Sequence, residues 1–155
     1  MILVTGSTGT FGSHVAKALQ NLKIDFKAAG QGSGKIKELL GQEVNFAEFD
    51  WANPNSFEGL FDGITKVYLV SPPNSNSFHE QVVPFLQQAK TAGVKFIVLS
   101  TVFGTEANEE GSLYKTELAV RHSGIDFSIV RPNFIFQNFI NYDLGAVKNL
   151  SLIHI

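Results

Sequence analysis

Short apolar runs alternate along the chain with stretches whose apolar residues recur at the spacing of a helix. The apolar runs predict six strands, at residues 2–4, 24–29, 44–49, 66–70, 94–100 and 125–130. The helical stretches lie at residues 11–22, 35–40, 78–92, 112–122 and 133–148, and a further helix is predicted to begin at Asn53 and Pro54. Strand and helix therefore alternate throughout, with no linker and no internal repeat between them.

The predicted strands are continuous apolar runs rather than alternating apolar and polar residues. Strands of this kind are buried on both faces, which is typical of a parallel sheet covered by helices on each side. We therefore predict an α/β fold in a single domain over residues 1–155. Its core is a Rossmann-like, doubly wound parallel sheet of about six strands in the order 3-2-1-4-5-6, with helices on both faces.

Composition narrows the classes of protein to which the chain can belong. Of its 155 residues 44% are hydrophobic and 17% are charged, which argues against disorder. The formal net charge of −2 gives no reason to expect a nucleic acid or a membrane as partner, and no apolar run reaches the roughly 18 residues of a membrane span. The absence of cysteine excludes a disulfide scaffold and thiolate chemistry. A strand-like start leaves no room for a signal peptide, and we expect a cytoplasmic protein.

The residues that join the first strand to the first helix carry a pattern with a direct functional meaning. Gly6, Gly9 and Gly12 are spaced G-x-x-G-x-x-G, a variant of the dinucleotide-binding fingerprint. The first glycine allows a tight turn, the second lets a pyrophosphate approach the backbone, and the third lets the helix pack closely. Unpaired amides at the start of the helix favour a phosphate there. The alternative is an ordinary flexible connection. The predicted cofactor-binding residues of this turn are Gly6, Ser7, Thr8, Gly9, Thr10, Phe11 and Gly12.

The loop after the second strand bears on the choice between NAD and NADP. About twenty residues beyond the glycines, an acidic side chain commonly binds the ribose 2′-OH, whereas a basic one accommodates a 2′-phosphate. This region holds Gln31 and Lys35, while Asp25 stands at the opposite end of the strand, so no carboxylate is expected to repel a phosphate. The sequence therefore permits NADP and slightly favours it. Lys35 either reaches the phosphate or is an ordinary solvated lysine.

Two further segments are expected at the same edge of the sheet. Asp50 and Trp51 follow the third strand. The carboxylate either accepts a hydrogen bond from the adenine amino group while its neighbour packs on the ring, or it serves the entry of the next helix. Val70, Ser71 and Pro72 end the fourth strand beside the first, where the strand order reverses and ligands bind. These residues either line the cofactor crevice or simply stop the strand.

Several segments recur here in the order found in one known family. They are Thr5-Gly6-x-x-Gly9-x-x-Gly12, Asp50, Leu99-Ser100-Thr101, Glu117 and the stretch from Ser123-Gly124 through Arg131-Pro132 to Asn138. Over nearly its whole length the chain resembles the NmrA-like family of atypical short-chain dehydrogenase/reductases, which includes NAD(P)H-dependent, quinone-reductase-like members. The resemblance implies a Rossmann fold that binds NAD(P). It also implies a cofactor role for Thr10, Phe11, Asp50 and the turn of Val70, Ser71 and Pro72.

The chain departs from the pattern of this family at three places. Gln31 stands where many members have arginine, which weakens the inference of NADP. Tyr114 is followed at i+4 by Leu118, not by the lysine of the Tyr-x-x-x-Lys pattern. Members of the family also continue well beyond residue 155, so we expect the C-terminal substrate-binding portion to be largely absent.

Tyr114 is the candidate catalytic acid, and the alternative is an ordinary surface tyrosine. It shares a helical face with Glu117 and Arg121 on the helix after the fifth strand. Ser100 or Thr101 either hydrogen-bonds a ribose or carbonyl group, or merely ends that strand. Hydride transfer itself mainly requires a nicotinamide held against its acceptor, because the cofactor supplies the difficult chemistry. No metal site is predicted, because the four histidines are scattered along the chain.

Two functions remain open at this point. The first is an NAD(P)H-binding oxidoreductase that transfers hydride to a quinone or a similar small carbonyl electrophile. The second is a non-catalytic, NAD(P)-sensing regulatory protein that binds a partner protein. The lack of a lysine four residues after Tyr114 favours this second function. A C-terminal apolar segment also predicts self-association, because exposed apolar patches commonly mark interfaces. Its residues are Phe134, Ile135, Phe136, Phe139 and Ile140.

Overall fold

The computed structural model describes residues 1–72, 75–133 and residue 135, and six strands within them form one parallel sheet. The strands are β1 (Ile2–Val4), β2 (Phe26–Gly30), β3 (Phe46–Glu48), β4 (Lys66–Val70), β5 (Phe96–Ser100) and β6 (Asp126–Val130). The helices are α1 (Thr10–Asn21), α2 (Ser33–Leu40), α3 (Phe78–Thr91) and α4 (Ser112–Arg121), with short 3₁₀ turns at Pro54–Phe57 and Thr105–Ala107. The predicted helix at residues 133–148 lies almost wholly outside the described residues.

The strand order is β3-β2-β1-β4-β5-β6, so the predicted Rossmann-like topology is confirmed. Ile2 of β1 pairs with Phe26 of β2 on one side and with Lys66 of β4 on the other. The chain moves outward from β1 to β3 and then returns to place β4 beside β1. This reversal opens a crevice at the carboxyl ends of β1 and β4, where ligands of such sheets bind.

Both faces of the sheet are covered by apolar side chains. Leu3 and Val4 are fully buried and belong to two separate apolar clusters, because successive side chains of a strand point to opposite faces. One cluster is rich in aromatic residues, among them Phe49, Phe57 and Phe85. Burying two clusters of this kind explains why the central strands read as continuous apolar runs. The edge strands β3 and β6 are only partly covered.

Strand β2 begins at Phe26, two residues later than the apolar pattern predicted, because α1 ends in a Schellman motif. Lys23 has a φ of +56°, and its amide donates to the carbonyl of Gln20 at 3.0 Å. The amide of Ile24 reaches back to the carbonyl of Leu19 at 3.0 Å. These hydrogen bonds satisfy the last carbonyls of the helix. Ile24 therefore belongs to the helix terminus and not to the strand.

The helix predicted to begin at Asn53 and Pro54 is present only as the 3₁₀ turn Pro54–Phe57. Its start is as expected, because the side chain of Asn53 accepts a hydrogen bond from the amide of Asn55 at 3.2 Å. The segment does not continue as a helix, since Gly59 adopts a φ of +68°, which a right-handed helix does not contain.

Candidate functional site

The turn between β1 and α1 has the geometry that its glycines predict. Gly6 has a φ of +61°, a left-handed conformation that glycine adopts without strain. Its carbonyl accepts a hydrogen bond from the amide of Gly9 at 2.8 Å, which closes the turn. The chain thereby leaves the buried strand and enters α1 within five residues, from Thr5 to Gly9.

Gly12 and Gly9 serve different purposes in this turn. A Cβ atom on Gly12 would lie 2.3 Å from the carbonyl oxygen of Gly6 and 2.6 Å from that of Thr5, so α1 packs against the turn with no room for a side chain. Gly9 has an extended backbone, with a φ of −89°, which any residue can adopt. It is also exposed. A Cβ here would lie 3.3 Å from the carbonyl oxygen of Gly6, a closer contact than most Cβ atoms make, and the absence of a side chain leaves the turn open to a ligand.

The first turn of α1 presents free amides at this opening. Within the described residues, the N–H groups of Thr10, Phe11 and Gly12 have no hydrogen-bond acceptor, and no side chain caps the helix. The first turn also carries no acidic residue. Unpaired amides at the positive end of a helix dipole attract an anion. The site therefore has the donor set that a pyrophosphate requires.

Ser7 and Thr5 anchor the turn through hydrogen bonds to the backbone of neighbouring strands. The hydroxyl of Ser7 donates to the carbonyl of Val4 at 2.6 Å and accepts from the amide of Ala29 at 3.4 Å, so this buried side chain is committed to the protein. Thr5 was not among the predicted site residues. Its hydroxyl accepts from the amide of Val70 at 3.0 Å and ties β1 to the end of β4. In the sequence, the only indication that Thr5 joins the two strands is that its hydroxyl directly follows β1.

Val70, Ser71 and Pro72 lie beside the glycine turn, as the strand order predicts. The Cβ atom of Val70 is 3.5 Å from the position that a Cβ on Gly6 would occupy. The hydroxyl of Ser71 donates to the carbonyl of Pro72 at 3.1 Å. The end of β4 therefore forms one wall of the crevice into which the amides of α1 open.

A carboxylate lies near the loop beyond β2, although the sequence of the loop itself contains none. Gln31, before α2, and Lys35, in its first turn, are both exposed. However, the amide of Gly32 donates to the carboxylate of Glu48 at 3.3 Å. Glu48 lies at the end of β3, directly across from Gly30 of β2. Sequence spacing along β2 missed it because the neighbouring strand contributes the carboxylate.

Asp50 and Trp51 are held by local contacts. The carboxylate of Asp50 accepts from the amide of Ala52 at 3.0 Å, which is the turn role that competed with adenine recognition. Trp51 packs edge-on against Phe49 and Phe78, each with its ring centroid 4.8 Å away. The indole is therefore a partly buried member of the aromatic core.

A buried ion pair links α4 to the ends of β5 and β6. Glu117 is 1% exposed and accepts hydrogen bonds from the Thr101 hydroxyl at 2.8 Å and from Nε of Arg131 at 2.9 Å. Another nitrogen of Arg131 contacts the exposed carboxylate of Glu106 at 2.9 Å. Burial alone would raise the pKa of Glu117, but the hydrogen bonds from Arg131 and Thr101 outweigh it and lower this pKa. The hydroxyl of Thr101 is thereby committed to Glu117, and Ser100 is buried at the end of β5.

Tyr114 lies one turn before Glu117 on α4 and is partly buried. Its hydroxyl has no hydrogen-bond partner among the described residues. The pKa of Arg131 is raised, chiefly by its hydrogen bond with Glu117, and the negative charges of Glu117 and Glu106 add to this effect. The neighbouring Lys115 is paired with Glu110 at 2.7 Å.

The described residues contain no cluster of three or more His, Cys, Asp or Glu side chains arranged to hold a metal ion. None of the helices in the described ranges has the length and apolar character needed to cross a bilayer.

Comparison with known proteins agrees with this geometry. A family model described as NAD(P)H-binding matches residues 6–148. An NAD(P)H azoreductase of Xenophilus azovorans is 34% identical over 146 residues, which cover 92% of this chain and 51% of that protein. Quinone oxidoreductase 2 of Escherichia coli (strain K12) is 24% identical over 154 residues, covering 96% of this chain and 54% of the relative.

Solved structures give the same fold. The NADPH-dependent quinone oxidoreductase of Escherichia coli, complexed with NADPH, superposes with a TM-score of 0.82 at 23% identity, over 96% of this chain and 54% of that one. The triphenylmethane reductase of Citrobacter sp., complexed with NADP(H), also gives 0.82, at 26% identity, over 96% of this chain and 55% of that one. The chain thus spans about half the length of the relatives that it matches.

Proposed function

The chain belongs to the family of NAD(P)H-binding proteins, and we propose that it forms the cofactor-binding part of a reductase that transfers hydride to a quinone or a similar small carbonyl electrophile. The observation that carries this proposal is the glycine turn. Free amides of Thr10, Phe11 and Gly12 open beside a backbone that has no side chain at Gly9. The azoreductase and quinone oxidoreductase relatives support a hydride-transfer reaction over other uses of the cofactor.

The residues fit a dinucleotide in two respects. The donors of the turn are neutral amides at a helix start, which suit a pyrophosphate. A Cβ on Gly12 would collide with the backbone at 2.3 Å, so this glycine is needed to bring α1 up to the turn. In the proposed arrangement residues 9–12 hold the pyrophosphate, and Val70 and Ser71 bound the crevice that leads to the nicotinamide end.

The cofactor, when bound, supplies the hydride, and the protein orients the acceptor and provides a proton. We assign the proton to Tyr114, because its hydroxyl has no competing partner in the described part of the chain. Tyr114 lies on α4, one turn before Glu117, the residue that holds Arg131.

We propose NADPH as the slightly favoured hydride donor. Lys35 is exposed in the first turn of α2, on the loop where a 2′-phosphate would lie. Two of the structural relatives are complexed with NADPH or NADP(H). The adenine contact expected of Asp50 and Trp51 stays a prediction, as does the cytoplasmic location.

The proposal is tested first by cofactor binding. We expect Gly9→Asp to abolish binding of NADPH and NADH in a fluorescence titration, because it places a negative charge where the pyrophosphate would rest. Gly9→Asn is the matched control, because it adds a side chain of the same size at the same position without the charge; in both variants the Cβ would lie 3.3 Å from the carbonyl oxygen of Gly6. Equal affinity in wild type and Gly9→Asp would remove the assignment of the turn.

Turnover separates the reductase from the regulatory alternative. We expect NADPH to be oxidised, as followed at 340 nm, in the presence of quinones or azo compounds, with a kcat of roughly 1–10³ s⁻¹. Cofactor binding without consumption across such a panel would leave the sensing protein as the function.

We also propose self-association through the C-terminal apolar segment, together with exposed apolar side chains at the carboxyl edge of the sheet. Most of the C-terminal apolar segment lies outside the described residues. Within them, Phe103 is 67% exposed and Val102 is 46% exposed, both directly after β5. Exposed apolar side chains of this kind commonly mark an interface. A sharp monomer peak in sizing chromatography at micromolar protein would contradict the proposal.

A further inference from the structure

A carboxylate stands where the loop after β2 turns into α2. Gly30 ends β2 and pairs in register with Glu48, which ends β3. The chain then turns at Gly32, which has a φ of +77°. That amide donates to the Glu48 carboxylate at 3.3 Å. The contact therefore joins the carboxyl ends of two adjacent strands on the outer side of the glycine turn.

In a dinucleotide-binding sheet, the position beyond the end of the second strand contacts a specific part of the cofactor. The group beyond the end of the second strand meets the 2′ position of the adenosine ribose, where a carboxylate accepts from a hydroxyl and a cation accommodates a phosphate. In this chain the second strand itself ends without an acidic side chain, at Ala29, Gly30 and Gln31. Glu48 supplies one from the next strand.

The Glu48 carboxylate and a 2′-phosphate would compete for the same donor. Both are anions, and both would accept from the amide of Gly32. Glu48 is exposed, so its charge is hydrated and can turn away, but a phosphate that enters must displace it and remain near it. A ribose 2′-OH has no such conflict, because it can donate to the carboxylate. Lys35 acts in the opposite direction and attracts the phosphate.

We propose that Glu48 is the residue that sets the choice between NAD(H) and NADP(H), by accepting from the ribose 2′-OH and by opposing a 2′-phosphate. This inference rests on the proposed function only in requiring that the glycine turn binds a dinucleotide. Glu48 opposes the preference for NADP(H) that Lys35 favours, so the wild-type chain favours NADP(H) only slightly.

The test is the ratio of the dissociation constants for NAD⁺ and NADP⁺, measured by calorimetric titration of the whole chain. We expect Glu48→Gln to shift this ratio toward NADP⁺ by about tenfold, the size of one hydrogen bond to a charged group. Glu43→Gln is the matched control. It removes the same charge from an exposed residue before β3, at the other end of the strand, and should leave the ratio unchanged.

A second titration isolates the 2′ group from the rest of the cofactor. Adenosine 2′,5′-bisphosphate should gain affinity in Glu48→Gln, whereas ADP should not. An unchanged ratio, or an equal shift in Glu43→Gln, would overturn the role of Glu48 while leaving cofactor binding intact. Failure of the wild-type chain to bind either dinucleotide would instead overturn the proposed function, and the inference with it.

Discussion

Arg131 offers a direct test of buried electrostatics, because one guanidinium is shared by a buried and an exposed carboxylate. Glu117 is 1% exposed and accepts from Arg131 and from Thr101. Glu106, whose side chain is 52% exposed, contacts another nitrogen of the same guanidinium. Glu117→Gln and Glu106→Gln remove the same charge and preserve the shape of the side chain. Their comparison therefore isolates the effect of burial.

The expected magnitude follows from these contacts. A hydrogen bond to a charged group contributes roughly 1.5–3 kcal/mol, and breaking a fully buried pair costs roughly 3–5 kcal/mol. The side chain of Arg131 is 30% exposed and keeps Glu106, so the loss should fall below the upper figure. We expect Glu117→Gln to lower the free energy of unfolding by about 2–3 kcal/mol, or roughly 4–12 °C in the unfolding midpoint. Glu106→Gln should change stability little, since exposed pairs contribute little.

The loss caused by Glu117→Gln should also depend on pH. The pKa of Glu117 is lowered in the folded protein, so its carboxylate stabilises the fold fully above the ordinary value of 4.5. That stabilisation disappears as the pH falls through the lowered pKa. The difference between wild type and Glu117→Gln should therefore be constant near neutrality and shrink in acid. Denaturant titrations from pH 7 to pH 3 measure it. Equal losses for the two variants, or a difference that persists in acid, would refute the buried pair.

Three further predictions concern the turn, the cofactor and the acid. Gly12→Ala should lower the free energy of unfolding by about 2–3 kcal/mol in thermal unfolding, because its Cβ would overlap the backbone at 2.3 Å. Gly34→Ala, where a Cβ meets nothing within 4 Å, should not destabilise. Lys35→Gln should weaken NADP⁺ binding severalfold and leave NAD⁺ binding unchanged in the same titrations. Tyr114→Phe should lower kcat about a hundredfold with little change in KM, measured with a quinone acceptor; an unaffected kcat would assign the proton to water.

The sheet was predictable from the sequence, because strands that are buried on both faces consist of continuous runs of apolar residues. Lys66–Val70 begins and ends as expected. Where the predicted ends of strands and helices were wrong, the true ends are set by local hydrogen bonds and backbone angles, which the hydropathy pattern does not reveal. Ile24 is an apolar residue used in a helix terminus, and the turn at Pro54 ends as soon as Gly59 takes a positive φ. Local backbone conformation decided these positions.

The candidate site was only half predictable, for a different reason. In the proposed site the backbone of residues 6–12 recognises the phosphate, so the sequence signal is the regular spacing of residues without side chains. The groups that surround it are side chains brought together by strand pairing, and their distance along the chain says nothing about their contact. Glu48 at the end of β3 contacts Gly32, which follows the neighbouring strand β2. Glu117 on α4 contacts Arg131, which follows β6. Spacing arguments find such partners only when both lie on one element.

The proposed site should tolerate substitution of some side chains in the turn better than others. Side chains at Thr8 and Thr10 make no hydrogen bonds among the described residues, so the turn can change them while its amides stay in place. Thr5 differs, because its hydroxyl fixes the distance between the turn and the end of β4. We propose that selectivity between cofactors and acceptor fit depend on residues outside the fingerprint. In this proposal the turn binds the dinucleotide, and side chains at the ends of β3, β5 and β6 select the cofactor and the acceptor.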